Sequence, residues 1–313
     1  MIFTLLESPN WKDYALLDSG DGLKLERFGK YIFERPESQA MWKRALSESE
    51  WKNAHAVFIP SGEESGGHWE IKKRVDEKWV MKYPLTSTYQ AEEQEMRELR
   101  FWAMTTPGRH LGVFPEVASH WDFIADLIQK ANLDPERSGK GPVNVLNLFG
   151  YTGLATLAAA AFGAKVTHVD ASKKSVNWAR ENQELSGLSD KPIRWIVEDA
   201  LKYVQREAKR GVRYDGIILD PPKFGRGPKG EVWEVYKSLP NLLAICRACL
   251  SERPLFVVIT IYAVRASAIH VAQALDEMMK GFGGSIDSGE LIIREQSANR
   301  LLSQAVYARW QSE

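Results

Sequence analysis

The chain reads as an α/β protein: a doubly wound parallel sheet with a C-terminal antiparallel strand pair, preceded by a small β-rich N-terminal domain. Two observations predict this. Beyond residue 140, strand-like and helix-like runs alternate, which argues for parallel strands with helices on both faces. The final segment breaks that alternation, because Glu290–Glu295 and Gln304–Trp310 both look like strands with no helix between them. A third observation concerns the first third, where short apolar stretches are interrupted by turn signals. The expected division is residues 1–105 for the β-rich domain and 106–313 for the sheet with its helices.

Taken in order, the early turns are Asp18-Ser19-Gly20-Asp21-Gly22 and Glu63-Glu64-Ser65-Gly66-Gly67. Strands are expected at Leu23–Phe28, Tyr31–Arg35, Ala56–Ile59, Trp69–Val75 and Trp79–Lys82. Six of the eleven tryptophans precede residue 105. They predict an aromatic core, with a base-stacking surface as the alternative. Tyr89–Arg100 is dense in charge and reads as a solvated strand or linker. His110-Leu111-Gly112-Val113-Phe114-Pro115-Glu116 lies in a loop, and Val117–Ala131 has helical spacing. The alternating part then runs through strands at Asn144–Phe149, Lys165–Val169, Ile193–Val197, Tyr214–Leu219 and Leu255–Ile261. Helices are expected at Leu154–Ala161, Lys173–Ser186, Ala200–Arg210, Val235–Leu250 and Ser267–Lys280.

Composition narrows the function classes. Of 313 residues, 41 are Lys or Arg and 41 are Asp or Glu, with 44% hydrophobic and 26% charged. This is ordinary globular composition, and it excludes wholly disordered, collagen-like and disulfide-scaffold proteins. Zero net charge excludes a globally basic nucleic-acid binder but leaves a local basic patch open. Met1–Glu7 lacks a basic n-region and reads as no secretory signal. The longest apolar runs, Leu154–Ala164 and Pro254–Val264, are half the ~20 residues a membrane helix needs. A cytoplasmic, reducing setting is expected.

In open parallel sheets ligands bind beyond the carboxyl ends of the strands. Asn147-Leu148-Phe149-Gly150-Tyr151-Thr152-Gly153 follows the first such strand, with two glycines that let a ligand approach the backbone. The three-glycine dinucleotide fingerprint is absent, which weighs against a nicotinamide or flavin. Asp170-Ala171-Ser172 ends the second strand, about 20 residues on, where an acid can accept from ribose hydroxyls. Asp199-Ala200 ends the third, where Asp199 can take an adenine amino hydrogen. Both acids could instead cap the following helices. Asp220-Pro221-Pro222-Lys223-Phe224 ends the fourth. Its prolines fix an extended, donor-poor turn, and Asp220 can accept from an amino group while Phe224 stacks.

These four segments, in order and spacing, resemble class I S-adenosylmethionine-dependent methyltransferases. Asp220-Pro221-Pro222-Lys223-Phe224 and Phe149-Gly150-Tyr151-Thr152-Gly153 are similar to the large-subunit ribosomal RNA methyltransferase group that includes the cytosine carbon-5 enzymes. The stretch Asp18–Gly29 looks like a bacterial branch of that group with unassigned substrate. The resemblance implies a Rossmann-like fold, S-adenosylmethionine as cofactor and RNA, ribosomal first, as partner. By it, Asn147, Phe149, Gly150, Tyr151, Thr152 and Gly153 line the methionine end. Asp170, with Ala171 and Ser172 beside it, takes the ribose, and Asp199 and Ala200 take the adenine. Asp220 and Pro221 lie near the methyl group, Phe114 closes over the cofactor, and Pro222 and Lys223 join Asp220 in the catalytic turn.

One departure bears on the chemistry. Carbon-5 methylation needs a cysteine thiolate to attack the ring, and that group carries it after the fifth strand. Here Ile259-Thr260-Ile261-Tyr262-Ala263-Val264-Arg265 has none. The only cysteines, Cys246 and Cys249, sit in a helix as small core hydrophobes. No metal site is expected. A ring nitrogen, an exocyclic amine or a ribose oxygen is the expected acceptor. Lys223, Arg226, Lys229 and Lys237 flank the mouth as candidate phosphate contacts, whereas Lys202, Arg206, Lys209, Arg210 and Arg213 read as a solvated helix face. Tyr262 and Arg265 are candidate substrate contacts, and His168 is a packed histidine. The rivals are a methyltransferase for a small molecule or protein, a dinucleotide-dependent oxidoreductase and a non-catalytic cofactor-binding adaptor.

Overall fold

The computed structural model describes residues 1–8, 11–61, 66–87, 96–137, 139, 141–262 and 267–313. The expected turn at 63–65, the acidic part of the charged segment at 89–95 and the candidate contact Arg265 lie outside the described residues. Strands β1 (Ile2–Glu7), β2 (Tyr14–Gly20), β3 (Leu23–Phe28) and β4 (Tyr31–Pro36) lead into a short helix α1 (Glu48–Trp51). Next come β5 (Ala56–Pro60), β6 (Gly67–Ile71), β7 (Trp79–Thr86) and β8 (Met96–Ala103), then helix α2 (Ala118–Leu133). The alternating part is β9 (Asn144–Leu148), α3 (Leu154–Ala161), β10 (Lys165–Asp170), α4 (Lys173–Leu185), β11 (Ile193–Val197), α5 (Ala200–Lys209) and β12 (Gly216–Leu219). A hairpin of β13 (Phe224–Arg226) and β14 (Val232–Glu234) precedes α6 (Val235–Ala248), β15 (Phe256–Tyr262), α7 (Ala268–Met279), β16 (Ser285–Arg294) and β17 (Leu301–Gln311).

The main sheet has eight strands in the order β1-β16-β17-β15-β12-β9-β10-β11. Pairing is parallel from β15 to β11, and β17 runs antiparallel to both β15 and β16. This is the doubly wound sheet with a terminal antiparallel pair that the pattern predicts. Strand order reverses between β9 and β12, and that switch point is where such sheets bind ligands.

The central strands alternate sides with period two. Val145, Ile218, Phe256 and Val258 pack with α2 and α3. Leu146, Leu148, Ile217, Leu219, Val257 and Ile259 pack with α5, α6 and α7. Strands buried on both faces read as continuous apolar runs, which is why they were easy to find.

The first third forms a five-stranded sheet, β2-β3-β4-β5-β6, and a separate β7-β8 pair. Its aromatic residues are core: Trp11, Trp51 and Trp79 are buried, and Phe33 stacks on Trp79 at 5.5 Å. That use of the tryptophans leaves no base-stacking platform in these three. A buried ion pair lies inside, with Arg35 donating to both oxygens of Glu26 at 2.7 and 2.8 Å and Tyr14 Oη donating to Glu26 at 2.8 Å. The apolar cluster under this sheet runs without interruption into α2 and α3. Moreover β1, from the far N-terminus, pairs parallel with β16 at the edge of the main sheet.

Two local expectations change. The predicted turn at Asp18–Gly22 begins later, because β2 continues through Gly20 and only Asp21 and Gly22 turn, both at positive φ (54° and 77°). The stretch after Lys223 is a hairpin, anchored by buried Trp233, whose Nε1 donates to Pro222 O at 2.7 Å.

Candidate functional site

The turn after β9 is held in an uncommon conformation. Phe149, Tyr151 and Gly153 have φ of 59°, 48° and 84°. For the two aromatic residues this costs of order 1–3 kcal/mol each, and such strain gathers at binding sites. Its restraints come from all sides. Tyr151 N donates to Asp170 Oδ2 at 2.9 Å, Gly150 N to Val169 O at 3.1 Å, and Asn182 Nδ2 to Thr152 O at 3.0 Å. Thr152 Oγ1 donates to Gly112 O at 2.7 Å, which ties the turn to the loop carrying Phe114. Phe149 packs on Trp233 at 4.9 Å and Tyr151 on Phe114 at 5.8 Å. Gly150 is required here by contact, since an added Cβ would collide with the His168 imidazole.

Asn147 is buried below this turn and donates to Thr156 Oγ1 at 2.9 Å. Thr156 Oγ1 in turn meets His168 Nδ1 at 2.9 Å. Burial pushes His168 down to about 3, so the imidazole is neutral and acts as packing, as expected.

Asp170 stands at the end of β10 with its carboxyl raised by burial. Its two oxygens accept from Tyr151 N and, at 2.8 Å, from Ser172 N. A carboxylate has about four acceptor sites, so two remain for ribose hydroxyls. Ala171 links Asp170 to Ser172, which caps α4 by accepting from Ser175 N at 3.2 Å. Asp199 caps α5, accepting from Lys202 N at 2.9 Å, with Ala200 as the first residue of that helix. Capping and ligand binding are compatible for a carboxylate with a second oxygen.

Asp220 ends β12 across the switch point from the turn. Its Oδ1 is buried with no hydrogen-bond partner among the described residues. Burial, and then the charge of Glu116, push its carboxyl from 3.8 up to about 8. Pro221 is buried, Pro222 and Lys223 are exposed, and Phe224 is 52% exposed.

These residues enclose a cleft of about 520 Å³, measured to its open mouth. Phe114, Asn147, Phe149, Gly150, Tyr151, Thr152 and Asp220 line it. Gly153, Asp170, Ala171, Ser172, Asp199, Ala200, Pro221, Pro222 and Lys223 lie outside its lining, on the same strand ends. Three residues gain weight that sequence reading did not give them. His120, with both ring nitrogens buried and unpartnered, faces the cleft from α2. Trp233 backs Phe149. Glu116, only 4% exposed, is close enough to raise both Asp220 and Tyr262. The one hint in the sequence is an acid directly after Phe114-Pro115 in an apolar stretch.

Cys246 and Cys249 are buried in an apolar cluster, and burial raises both thiols. Neither lines the cleft. Among the described residues no group of three or more His, Cys, Asp or Glu could hold a metal ion. The cations of α5 are largely neutralised: Arg206 pairs with Glu198 at 2.5 Å, Lys202 with Glu231 at 2.5 Å, and Arg210 with Glu207 at 3.4 Å. This is the solvated helix face expected. At the mouth, Lys237 pairs with Glu234 at 2.7 Å.

The family model for S-adenosylmethionine-dependent methyltransferases matches residues 135–275. A solved methyltransferase of that kind from Agrobacterium tumefaciens is 43% identical, covering 100% of this chain and 95% of its own, with a TM-score of 0.88. A ribosomal RNA large subunit methyltransferase K/L from Shewanella frigidimarina is 40% identical over 123 residues, 39% of this chain and 17% of the relative. One of the same name from Hahella chejuensis is 32% identical over 191 residues, 59% of this chain and 24% of the relative. The matches thus span a quarter or less of these curated relatives.

Proposed function

This chain belongs to the S-adenosylmethionine-dependent methyltransferase family, and we propose that it methylates RNA, ribosomal RNA first, at a nitrogen or oxygen. The observation that carries the reading is the orphaned Asp220 oxygen, buried at the switch point opposite a strained backbone turn. An unsatisfied buried carboxyl is costly unless an occupant completes it. A sulfonium cofactor and an amine acceptor supply the groups it lacks. The names of the curated relatives support RNA as the substrate class.

The residues fit the cofactor. Asp170 would hold its ribose, with Ala171 and Ser172 shaping the bend. Asp199 and Ala200 would meet the adenine edge. Asn147, Phe149, Gly150, Tyr151, Thr152 and Gly153 would bound the methionine end, and Phe114 would cover it. When bound, the cofactor supplies an electrophilic methyl group. The chain's own contribution is placement, the main source of rate for such a transfer. Asp220 accepts a hydrogen from the acceptor and aims its lone pair, Pro221 and Pro222 keep the turn rigid, and Lys223 stands at the mouth for substrate phosphate. Buried, raised thiols support chemistry other than cysteine attack on carbon 5.

We keep residues 1–105 as a β-rich unit and 106–313 as the catalytic unit, with β1 tying the first to the second. No helix among the described residues is long and apolar enough to cross a membrane, and a cytoplasmic location goes with an RNA substrate. Transfer of labelled methyl into an extract from a strain lacking the protein tests the proposal, with RNA, protein and small molecules separated before counting. Label in RNA is expected. Label only in small molecules or protein would favour the second reading, which the ion-paired cations of α5 support.

A further inference from the structure

Resting on methyl transfer to an N–H acceptor in the proposed site, we propose that Glu116 and Tyr262 form, with Asp220, a relay that carries the released proton out through a second cavity. Four observations support this path. Glu116 is buried and stands in the chain between Phe114 and Val117, which both line the cofactor cleft. Its own side lines a different cavity of about 550 Å³, together with Glu7, Ser8, Trp11, Tyr14 and Gln296. Ser8 Oγ and Trp11 Nε1 are buried there without partners, so the cavity suits water rather than apolar fill. On the cleft side, Tyr262 Oη lies within reach of the Glu116 carboxyl but makes no well-aligned bond, and Asp220 Oδ1 is likewise unpartnered. Three exchangeable groups thus stand in sequence between two cavities.

The step balances. The acceptor nitrogen's lone pair forms the new bond to the methyl carbon as the carbon–sulfur pair returns to sulfur. The acceptor's proton passes to the Asp220 carboxylate. Tyr262 Oη takes that proton while giving its own to the Glu116 carboxylate, and Glu116 delivers it to water in the second cavity. Both carboxylates and the phenol end as they began.

The charges around Glu116 suit the task. Lys24 and Arg35 from β3 and β4 favour its ionised form, against burial and the nearby Glu26. Tyr14 from β2 also faces it, as do Asp220 and Tyr262 from the main sheet. Glu116 therefore sits between a cationic side and an acidic one, which lets it accept from one and release to the other.

The test uses the full chain carrying Glu116→Gln, with Tyr262→Phe as a second variant and Asp220→Asn to assign the signal. Infrared titration of the cofactor-free protein follows the carboxyl band lost in Asp220→Asn. Removing Glu116's charge should increase the acidity of that carboxyl at least tenfold. An unmoved midpoint in folded Glu116→Gln would overturn the proposal. Single-turnover transfer should slow tenfold or more in Glu116→Gln and in Tyr262→Phe, with acceptor KM unchanged and the pH profile displaced. Unchanged transfer in both, despite a moved midpoint, would overturn the relay as well. Absence of label from RNA in the wild type would sink only the RNA assignment, since the titration needs no substrate and the rates can be read on whichever acceptor takes label.

Discussion

Asp220→Asn isolates the titration of one carboxyl from everything else in the cleft. Burial and Glu116 hold this group at about 8 in the folded protein, against 3.8 ordinarily. Between those values the folded state keeps a proton that the unfolded chain has lost. More protons are bound in the folded state, so stability falls as pH rises through that window and levels off above about pH 8. From about pH 6 to 9 the loss is ~2.7 kcal/mol, taking ~1.4 kcal/mol per pH unit up to the folded-state value. Asp220 is partly open to the cleft, and halving for solvent screening leaves ~1.4 kcal/mol. The asparagine variant cannot ionise and lacks this slope, while every other titrating group is common to both proteins. Urea unfolding of the two at several pH values should show the wild type losing ground steadily to the variant. A difference that stays constant over the range would refute both the raised carboxyl and the dry surroundings inferred for it.

Other expectations are simpler. Asp170→Ala removes the acceptor for two backbone amides as well as the proposed ribose contact, so calorimetric affinity for S-adenosylmethionine should fall at least ~10-fold; unchanged affinity would cancel that assignment. Gly150→Ala forces a Cβ against His168, and overpacking of this kind costs ~1–3 kcal/mol. A thermal melt identical to wild type would show that the turn relaxes freely. Replacing Cys246 and Cys249 together by alanine should leave methyl transfer intact, and loss of activity with the fold preserved would return covalent catalysis to consideration.

The catalytic half was legible because its signals are local. Gly216–Leu219 and Phe256–Ile261 are apolar throughout, being buried on both sides, and Leu154–Ala161 matches its helix end to end. What escaped reading depends on partners far away in the chain. Asp18-Ser19-Gly20 looks like a turn, yet the Asp18 carboxylate is satisfied by Leu46 N, Trp51 Nε1 and Ser297 Oγ, and so sits inside a strand. β1 has four exposed apolar residues, Met1 just before it aside, no buried face of its own to betray it, and a mate at residue 287 and beyond. Of the site, the strand-end acids and the Gly turn follow from topology. Glu116 does not, because its importance comes from Asp220 and Tyr262 meeting it across the fold.

The placement of β1 imposes an order on how the protein is made. Ile2 pairs with Asp287 and Glu7 with Ile292, so the first strand to leave the ribosome finds its place only after nearly the whole chain has followed. The N-terminal sheet waits on the same event: Ser19 donates to Glu295 at 2.5 Å and Arg300 pairs with Asp18 at 3.2 Å. Contacts so distant in sequence slow folding, and meanwhile Ile2, Phe3 and Leu5 stand unpaired, an open strand that chaperones or neighbouring nascent chains can engage. The loss of only the last hairpin would strand both ends of the molecule at once, giving the cell a sensitive check on whether synthesis was completed.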